Sequence, residues 1–327
     1  MTFHDKRKFS KQLVCSTFAT VGLILLTYFL LNLHPWAKRQ YTIGTSYMTM
    51  NNNFYVILNE QIANSVNQHG DRLITRDPAL KVDKQVQQIN DFIKEKVDLI
   101  VIAPVDGNSV KIHQALRKAR AAGIKIINVD TEMKWADADC TIATDNYRAG
   151  SLVARYLLKK EKQAKILLLT QASAYSAKER ISGFCATLSN SSKAKNYKIV
   201  DRLETFGQSE IALPKVTAYL KKGKSFDTVM ALNDQAAIGA LSAIAAQKLD
   251  KKIHVYSVDG SPNMKLLISK NSNAVATAAQ SPVKMGKSSA KAIYGLLKGE
   301  KVKEKIVIPT EIIDRGNLNH YGTTGWQ

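Results

Sequence analysis

The chain has 327 residues, of which 45% are hydrophobic and 23% charged, with only 17 Gly and 7 Pro. This composition excludes a disordered tail, a collagen-like fibre and a polytopic membrane protein, and the length suffices for two filled cores. Lys and Arg outnumber Asp and Glu by 47 to 27, a formal charge of +20, which points to an anionic neighbour without identifying it.

The first predicted element is a membrane segment. Gln12 to Trp36 contains no Lys, Arg, Asp or Glu, and the 21 residues from Leu13 to Leu33 are mostly Leu, Val, Phe, Thr and Ala. At about 1.5 Å per residue such a helix crosses a hydrocarbon core of about 30 Å. Lys6, Arg7, Lys8 and Lys11 precede it, so the positive-inside rule leaves the N-terminus in the cytoplasm and exports the remainder. A small-x-small cleavage pattern is missing. Residues 1–40 therefore read as a basic tip with an uncleaved signal anchor, or as a signal peptide if the helix is removed. Cys15, Cys140 and Cys185 have no C-x-x-C spacing and the histidines are scattered; plain thiols are expected, with no metal site and no cofactor.

Beyond residue 40, short β-branched runs alternate with amphipathic stretches, the pattern of parallel strands joined by crossover helices. Tyr41 to Tyr47 reads as a strand and Phe54 to His69 as a helix with Leu58, Ile62 and Val66 on one face. A short strand follows at Asp71 to Thr75, then a helix striped by Val82, Val86, Ile89 and Ile93. Leu99 to Ile102 is a continuous apolar strand; a helix at Val110 to Ala122 leads to a strand at Ile124 to Val129. After Thr141 to Thr144 the rhythm restarts. Helices are expected at Asn146 to Leu158, Lys178 to Leu188, around Lys215 to Leu220 and at Gln235 to Gln247. Strands are expected at Ile166 to Leu169, Ile199 to Leu203, Thr228 to Leu232 and His254 to Val258. Two doubly wound α/β lobes follow, with no Gly-, Pro- or Ser-rich tether between them.

Polar residues stand directly after these strands: Asn51, Asn52 and Asn53, then Asp130, then Asn233 and Asp234, then Asp259, and Gln280 after Ala279. Ligands of open α/β sheets bind at the carboxyl ends of the strands. Amides and carboxylates there suit vicinal hydroxyl groups, and Phe54, Tyr55 and Phe206 offer flat faces for a sugar ring. Each Asn or Asp taken singly also reads as a turn former or helix N-cap.

The same residues carry a resemblance to the type I periplasmic sugar-binding proteins, above all their ribose-binding members, over about Tyr41 to Ile312. Thr49-Met50-Asn51-Asn52-Asn53-Phe54-Tyr55 resembles the first-strand loop, and Asp130 the Asp of an Asp-Arg pair. Glu179-Arg180-Ile181-Ser182-Gly183-Phe184 matches E-R-x-x-G-F, and Asn233 to Ala240 matches N-D-x-x-A-x-G-A. Val258 to Pro262 matches the D-G-x-P turn, and Gln280 the hinge Gln. The resemblance implies ligand contacts from Asn52, Phe54, Tyr55, Asp130, Arg180, Phe206, Asn233, Asp259 and Gln280. It also implies an N-terminal lobe of residues 41–144 and 281–309, a C-terminal lobe of residues 145–280 and 310–327, and a three-segment hinge near Thr144, Gln280 and Thr310. The implied function is extracytoplasmic capture of a monosaccharide or polyol by a monomer that closes on its ligand and delivers it to an ABC permease. Two positions depart from the pattern. Asn53 replaces a Pro, and Thr131 replaces the Arg after Asp130, which removes five N–H donors. A sugar or polyol of configuration other than ribose is therefore expected.

Other function classes fit less well. No G-x-S-x-G or G-x-G-x-x-G occurs, and the Gly-Lys-Ser tripeptides at Gly223 and Gly286 lack the first Gly of a phosphate loop, having Ala218 and Ser281 there. An enzyme is not expected. A sugar-responsive repressor needs a helix-turn-helix where this chain has its apolar segment, and the Lys residues are spread over helix faces, so no nucleic-acid partner is expected. An anchored sensor signalling to a histidine kinase is the alternative to uptake.

Overall fold

The computed structural model describes residues 16–29, 39–135, 137–247 and 252–327. Residues 1–40 and Tyr41–Gln327 are separate compact units. In the first, residues 16–29 form helix α1, whose large apolar side chains are exposed. Thr20 and Thr27 donate their hydroxyls to the carbonyls of Ser16 and Leu23, both at 2.7 Å, which satisfies the only side-chain donors of its middle turns within the helix itself. The ends of the expected Leu13 to Leu33 span, with Cys15, lie outside the described residues. Among the described residues no helix is long and apolar enough to cross a membrane.

The second unit contains two six-stranded sheets. The first comprises β1 (Thr42–Ser46), β2 (Arg72–Arg76), β3 (Leu99–Ile102), β4 (Lys125–Val129), β5 (Cys140–Thr144) and β11 (Lys305–Ile308), in the order β11-β5-β4-β3-β1-β2. The second comprises β6 (Ala164–Thr170), β7 (Tyr197–Glu204), β8 (Thr228–Ala231), β9 (His254–Asp259), β10 (Ala274–Ala279) and β12 (Glu311–Asp314), in the order β12-β10-β9-β8-β6-β7. All pairings are parallel except β10 with β12. Helices cover both faces, so central strands are buried on both sides and read as unbroken apolar runs; all four residues of β3, Leu-Ile-Val-Ile, are buried.

The crossover helices are α2 (Asn53–His69), α3 (Val82–Lys94), α4 (Val110–Ala121), α5 (Asn146–Lys160), α6 (Tyr175–Ser189), α7 (Ser209–Lys221), α8 (Asp234–Ala246), α9 (Pro262–Lys270) and α10 (Pro282–Leu297). Helix α7 begins at Ser209, six residues before the expected stretch, and runs through Pro214. The missing Pro N–H falls opposite the carbonyl of Glu210 in the first turn, and both residues are exposed, which leaves that carbonyl within reach of solvent. Cys140 is buried and Cys185 half-buried, both as free thiols.

The chain passes between the sheets three times: from β5 into α5, from β10 through Gln280 into α10, and from β11 to β12. Helix α10 packs on α2 and β4, whereas α5 packs on α6 and β10. Where α5 crosses α6 the backbones touch. A Cβ on Gly150 would lie 1.8 Å from the carbonyl oxygen of Arg180, and one on Gly183 would lie 2.0 Å from that of Tyr147. Gly183→Ala should therefore force the helices apart and lower the urea midpoint by the equivalent of about 1–3 kcal/mol. A variant that unfolds at the wild-type midpoint would show that this contact yields without cost.

Candidate functional site

The carboxyl ends of strands from both sheets converge on one partly open cavity, whose empty space of about 440 Å³ includes solvent at its mouth. In each sheet the chain reverses its direction of strand addition beside the first strand, between β1 and β3 and between β6 and β8. Ligands of such sheets bind at that point. All nine side chains expected at the site, Asn52, Phe54, Tyr55, Asp130, Arg180, Phe206, Asn233, Asp259 and Gln280, line this one cavity.

Arg180, on α6, occupies its centre. Its Nε donates to Asn146 Oδ1 at 2.9 Å, and its Nη1 to the carbonyl of Leu232 at 3.0 Å and to Asp259 Oδ1 at 3.3 Å. Its Nη2 donates to Gln280 Oε1 at 2.7 Å and lies 3.8 Å from Asp130 Oδ1. Four of the five donors are thus used by the protein. Gln280 in turn donates to Thr144 Oγ1 at 2.8 Å, so one chain of bonds runs from the guanidinium to two of the three crossings. Asp130 also accepts from the Tyr55 hydroxyl at 2.8 Å. The second Asp259 oxygen accepts from the backbone N–H of Asp234 at 3.3 Å.

Asn52 and Asn233 hold two roles at once. Each is the N-cap of the helix it precedes: Asn52 Oδ1 accepts from Phe54 N–H at 3.0 Å, and Asn233 Oδ1 from Ala236 N–H at 3.0 Å. Asn233 Nδ2 donates to the carbonyl of Gly207 at 3.0 Å. Their oxygens are therefore spent on the helices, and their amide N–H groups are what remains for a ligand. Phe54 is buried and meets Trp326 edge-on at 5.8 Å. Tyr55 stacks on Tyr47 at 5.5 Å. Phe206 is 41% exposed at the mouth.

Asp130, Phe206 and Asp259 adopt positive φ angles of 62°, 52° and 143°. Non-glycine residues avoid that region, and strain of this kind collects at binding sites. Thr131 is fully buried, and its hydroxyl pairs with Ser176 of α6 at 2.6 Å. That contact joins a loop of the first sheet to a helix of the second.

The cavity wall also includes Gln171, Ser176 and Gln208, which the reading of the sequence passed over. Gln171 follows β6 directly and carries the same polar strand-end signal as the others. Gln208 follows a glycine ahead of a helix that the Pro disguised.

Burial drives the Asp259 carboxyl well above the usual carboxylate range; Arg180 opposes this, while Asp234 and Asp130 add to it. Burial raises Asp130 as well, against the pull of Arg180 and of its hydrogen bond from Tyr55. A carboxyl with a raised folded pKa binds its proton more tightly folded than unfolded, so its contribution to stability is present in acid and lost as pH rises through the folded pKa. Ligand-free Asp259→Asn should accordingly melt above wild type at about pH 8, with the gap narrowing as pH falls towards about 5. A gap that widens on acidification would reverse the assignment.

Two open parallel sheets, three crossings and a polar cavity where the strand ends meet define the two-lobed binding-protein class of α/β folds. A family model described as the periplasmic binding protein domain matches residues 43–301. The chain is 30% identical over 306 residues to the ribose import binding protein of Bacillus subtilis, covering 91% of this chain and 97% of that one. Among solved structures, a glycerol-bound ABC transporter solute-binding protein of Mycobacterium smegmatis superposes with a TM-score of 0.81 at 26% identity, covering 88% of this chain and 99% of the other. The arabinose ABC transporter binding protein of Shewanella sp. ANA-3 superposes with a TM-score of 0.77, also at 26% identity, covering 85% and 93%. The chain belongs to the type I periplasmic sugar-binding protein family.

Proposed function

We propose that this protein binds a monosaccharide or related polyol outside the cytoplasm, without catalysis, and delivers it as a monomer to the permease of an ABC transporter. The observation that carries this reading is the one cavity in which carboxylates, amides and one guanidinium lie beside Phe54, Tyr55 and Phe206. Carboxylates accept from sugar hydroxyls, amides do both, and the aromatic faces cover the C–H face of a ring. The ribose, glycerol and arabinose named for its relatives are small polyhydroxylated molecules.

On this reading residues 41–144 with 281–309 form one lobe and residues 145–280 with 310–327 the other. They hinge near Thr144, Gln280 and Thr310, where the chain changes sheets. Ligand contacts from both lobes favour the closed form, and the permease reads that form. Thr131, with its hydroxyl turned to Ser176, gives the pocket a different donor set from the ribose binders, so the ligand is a sugar or polyol other than ribose. A thermal-shift screen of the full chain against pentoses, hexoses and polyols tests this. Saturation at about 100 times Kd stabilises a folded protein by about 2.7 kcal/mol, so at least one compound should raise the melting temperature by several degrees. A flat response across the panel, or a response to ribose alone, would count against the assignment.

The apolar run from Leu13 to Leu33 supports an uncleaved anchor in the cytoplasmic membrane. The full-length protein should then stay with membranes after alkaline carbonate extraction. A mature chain that starts near Lys38 would show a cleaved signal peptide instead.

A further inference from the structure

Several polar residues at the strand ends near the cavity hold the starts of helices, and one in the same position does not. Asn52, Asn233, Ser261 and Ser281 each cap the helix that follows, with a side-chain oxygen accepting a backbone N–H two or three residues on. Gln208 holds the corresponding position before α7, with extended backbone angles of −113° and 134°, and makes no capping bond. Its Nε2 instead turns back to the carbonyl of Phe206 at 3.4 Å. That carbonyl accepts only, so it fixes which end of the amide faces it and leaves Oε1 pointing the other way. Gln208 is 4% exposed and lines the cavity, and its Oε1 is buried with no hydrogen-bond partner.

The turn before this residue is tied to the rest of the cavity wall. Phe206 and Gly207 both have positive φ, 52° and 67°. The carbonyl of Gly207 accepts from Asn233 Nδ2, and a Cβ on Gly207 would come within 2.9 Å of that nitrogen and 3.2 Å of Gln171 Oε1. A shift of this turn would cost the bond from Asn233. Buried polar groups in native structures are paired almost without exception, and one left open in a cavity wall marks where an occupant supplies the partner.

We propose that Gln208 determines ligand specificity, its Oε1 accepting a hydrogen bond from one hydroxyl group of the bound sugar or polyol. This rests on the sugar-binding reading of the same cavity, and it adds a residue that neither the strand-end pattern nor the family resemblance supplied. A site with a fixed acceptor discriminates against ligands that lack the matching donor far more strongly than one built of apolar contacts. Gln208 would therefore reject a deoxy sugar at that position.

The test compares wild type with Gln208→Met, which keeps length and removes the acceptor, both as full chains. Calorimetry with D-ribose, L-arabinose, D-allose, D-fructose, myo-inositol and glycerol identifies which of them bind. Each compound that binds wild type should bind Gln208→Met about ten- to a hundredfold more weakly. Among the monodeoxy forms of such a ligand, one should bind the two proteins equally. The ligand-free melting temperature of Gln208→Met should equal or exceed that of wild type, because the variant no longer buries an open acceptor. Equal affinity of both proteins for every ligand would overturn the proposal while leaving the sugar reading intact, as would a variant that loses binding and thermal stability together. A wild type that binds none of the six would overturn both.

Discussion

The site depends on the guanidinium of Arg180. It joins Asn146 at the start of α5, the carbonyl of Leu232 after β8, Asp259 at the end of β9 and Gln280 at a crossing, and it faces Asp130 of the other sheet. No other side chain described around the cavity reaches so many elements. Among the described residues it is also the only cation paired with two buried carboxylates, Asp130 and Asp259, with a third, Asp234, bound just behind by Ser257, Thr277 and Ser261. Removing Arg180 itself would leave these carboxylates buried without their cation, at a cost of about 3–5 kcal/mol. The family resemblance implies that this Arg reaches the ligand. With four donors held by the protein, it has one N–H left to offer, so most of its work is to set the positions of other groups.

That placement traces back to two glycines. Only without side chains at Gly150 and Gly183 can α5 and α6 touch along their backbones, and this contact brings Arg180 and Asn146 within bonding distance. The E-R-x-x-G-F pattern is thus one physical unit: the Gly lets the helix approach, and the Arg, three residues earlier, is delivered to the strand ends.

Much of the second unit was legible because parallel strands are buried on both faces and so carry unbroken apolar runs, as at Leu99 to Ile102. The strand-end polar residues were legible too, since the carboxyl ends of two sheets have to meet for a cavity to exist. Their division of labour was not. Asn after a strand and before a helix satisfies two demands with one residue type, and sequence alone does not say that Asn52 and Asn233 spend their oxygens on caps. The left-handed backbone at Asp130, Phe206 and Asp259 was illegible as well. Those angles are imposed by surrounding bonds and not by residue preference. Gln208 went unnoticed because Pro214 hid the start of α7, and with it the fact that a residue in capping position was not capping.

Thr131 shows how one substitution changes both the balance of the pocket and its closure. An Arg there would add donors facing Asp130; Thr leaves acceptors in excess, because Arg180, which already donates to Asp259, Asn146, Leu232 and Gln280, has one N–H left for the oxygens of Asp130, Asp259 and Gln208. Such a pocket favours a ligand that donates from several hydroxyls, and it discriminates by where those hydroxyls point. The contacts between residues of the two sheets at the cavity are few. They include the buried Thr131 and Ser176 hydroxyl pair, the buried 3.8 Å approach of Arg180 to Asp130 and the buried bond from Gln280 to Thr144 at 2.8 Å, with bonds from Asn51 to Glu210 at 3.2 Å and from Gln235 to the carbonyl of Asn51 at 3.5 Å on the exposed rim. The exposed bonds contribute little, and the buried ones hold the two sheets' loops together at the cavity. On the proposed sugar-binding reading, a ligand able to donate both to Asp130 on one side and to Asp259 and Gln208 on the other would add to these contacts and favour the arrangement in which both sides touch it.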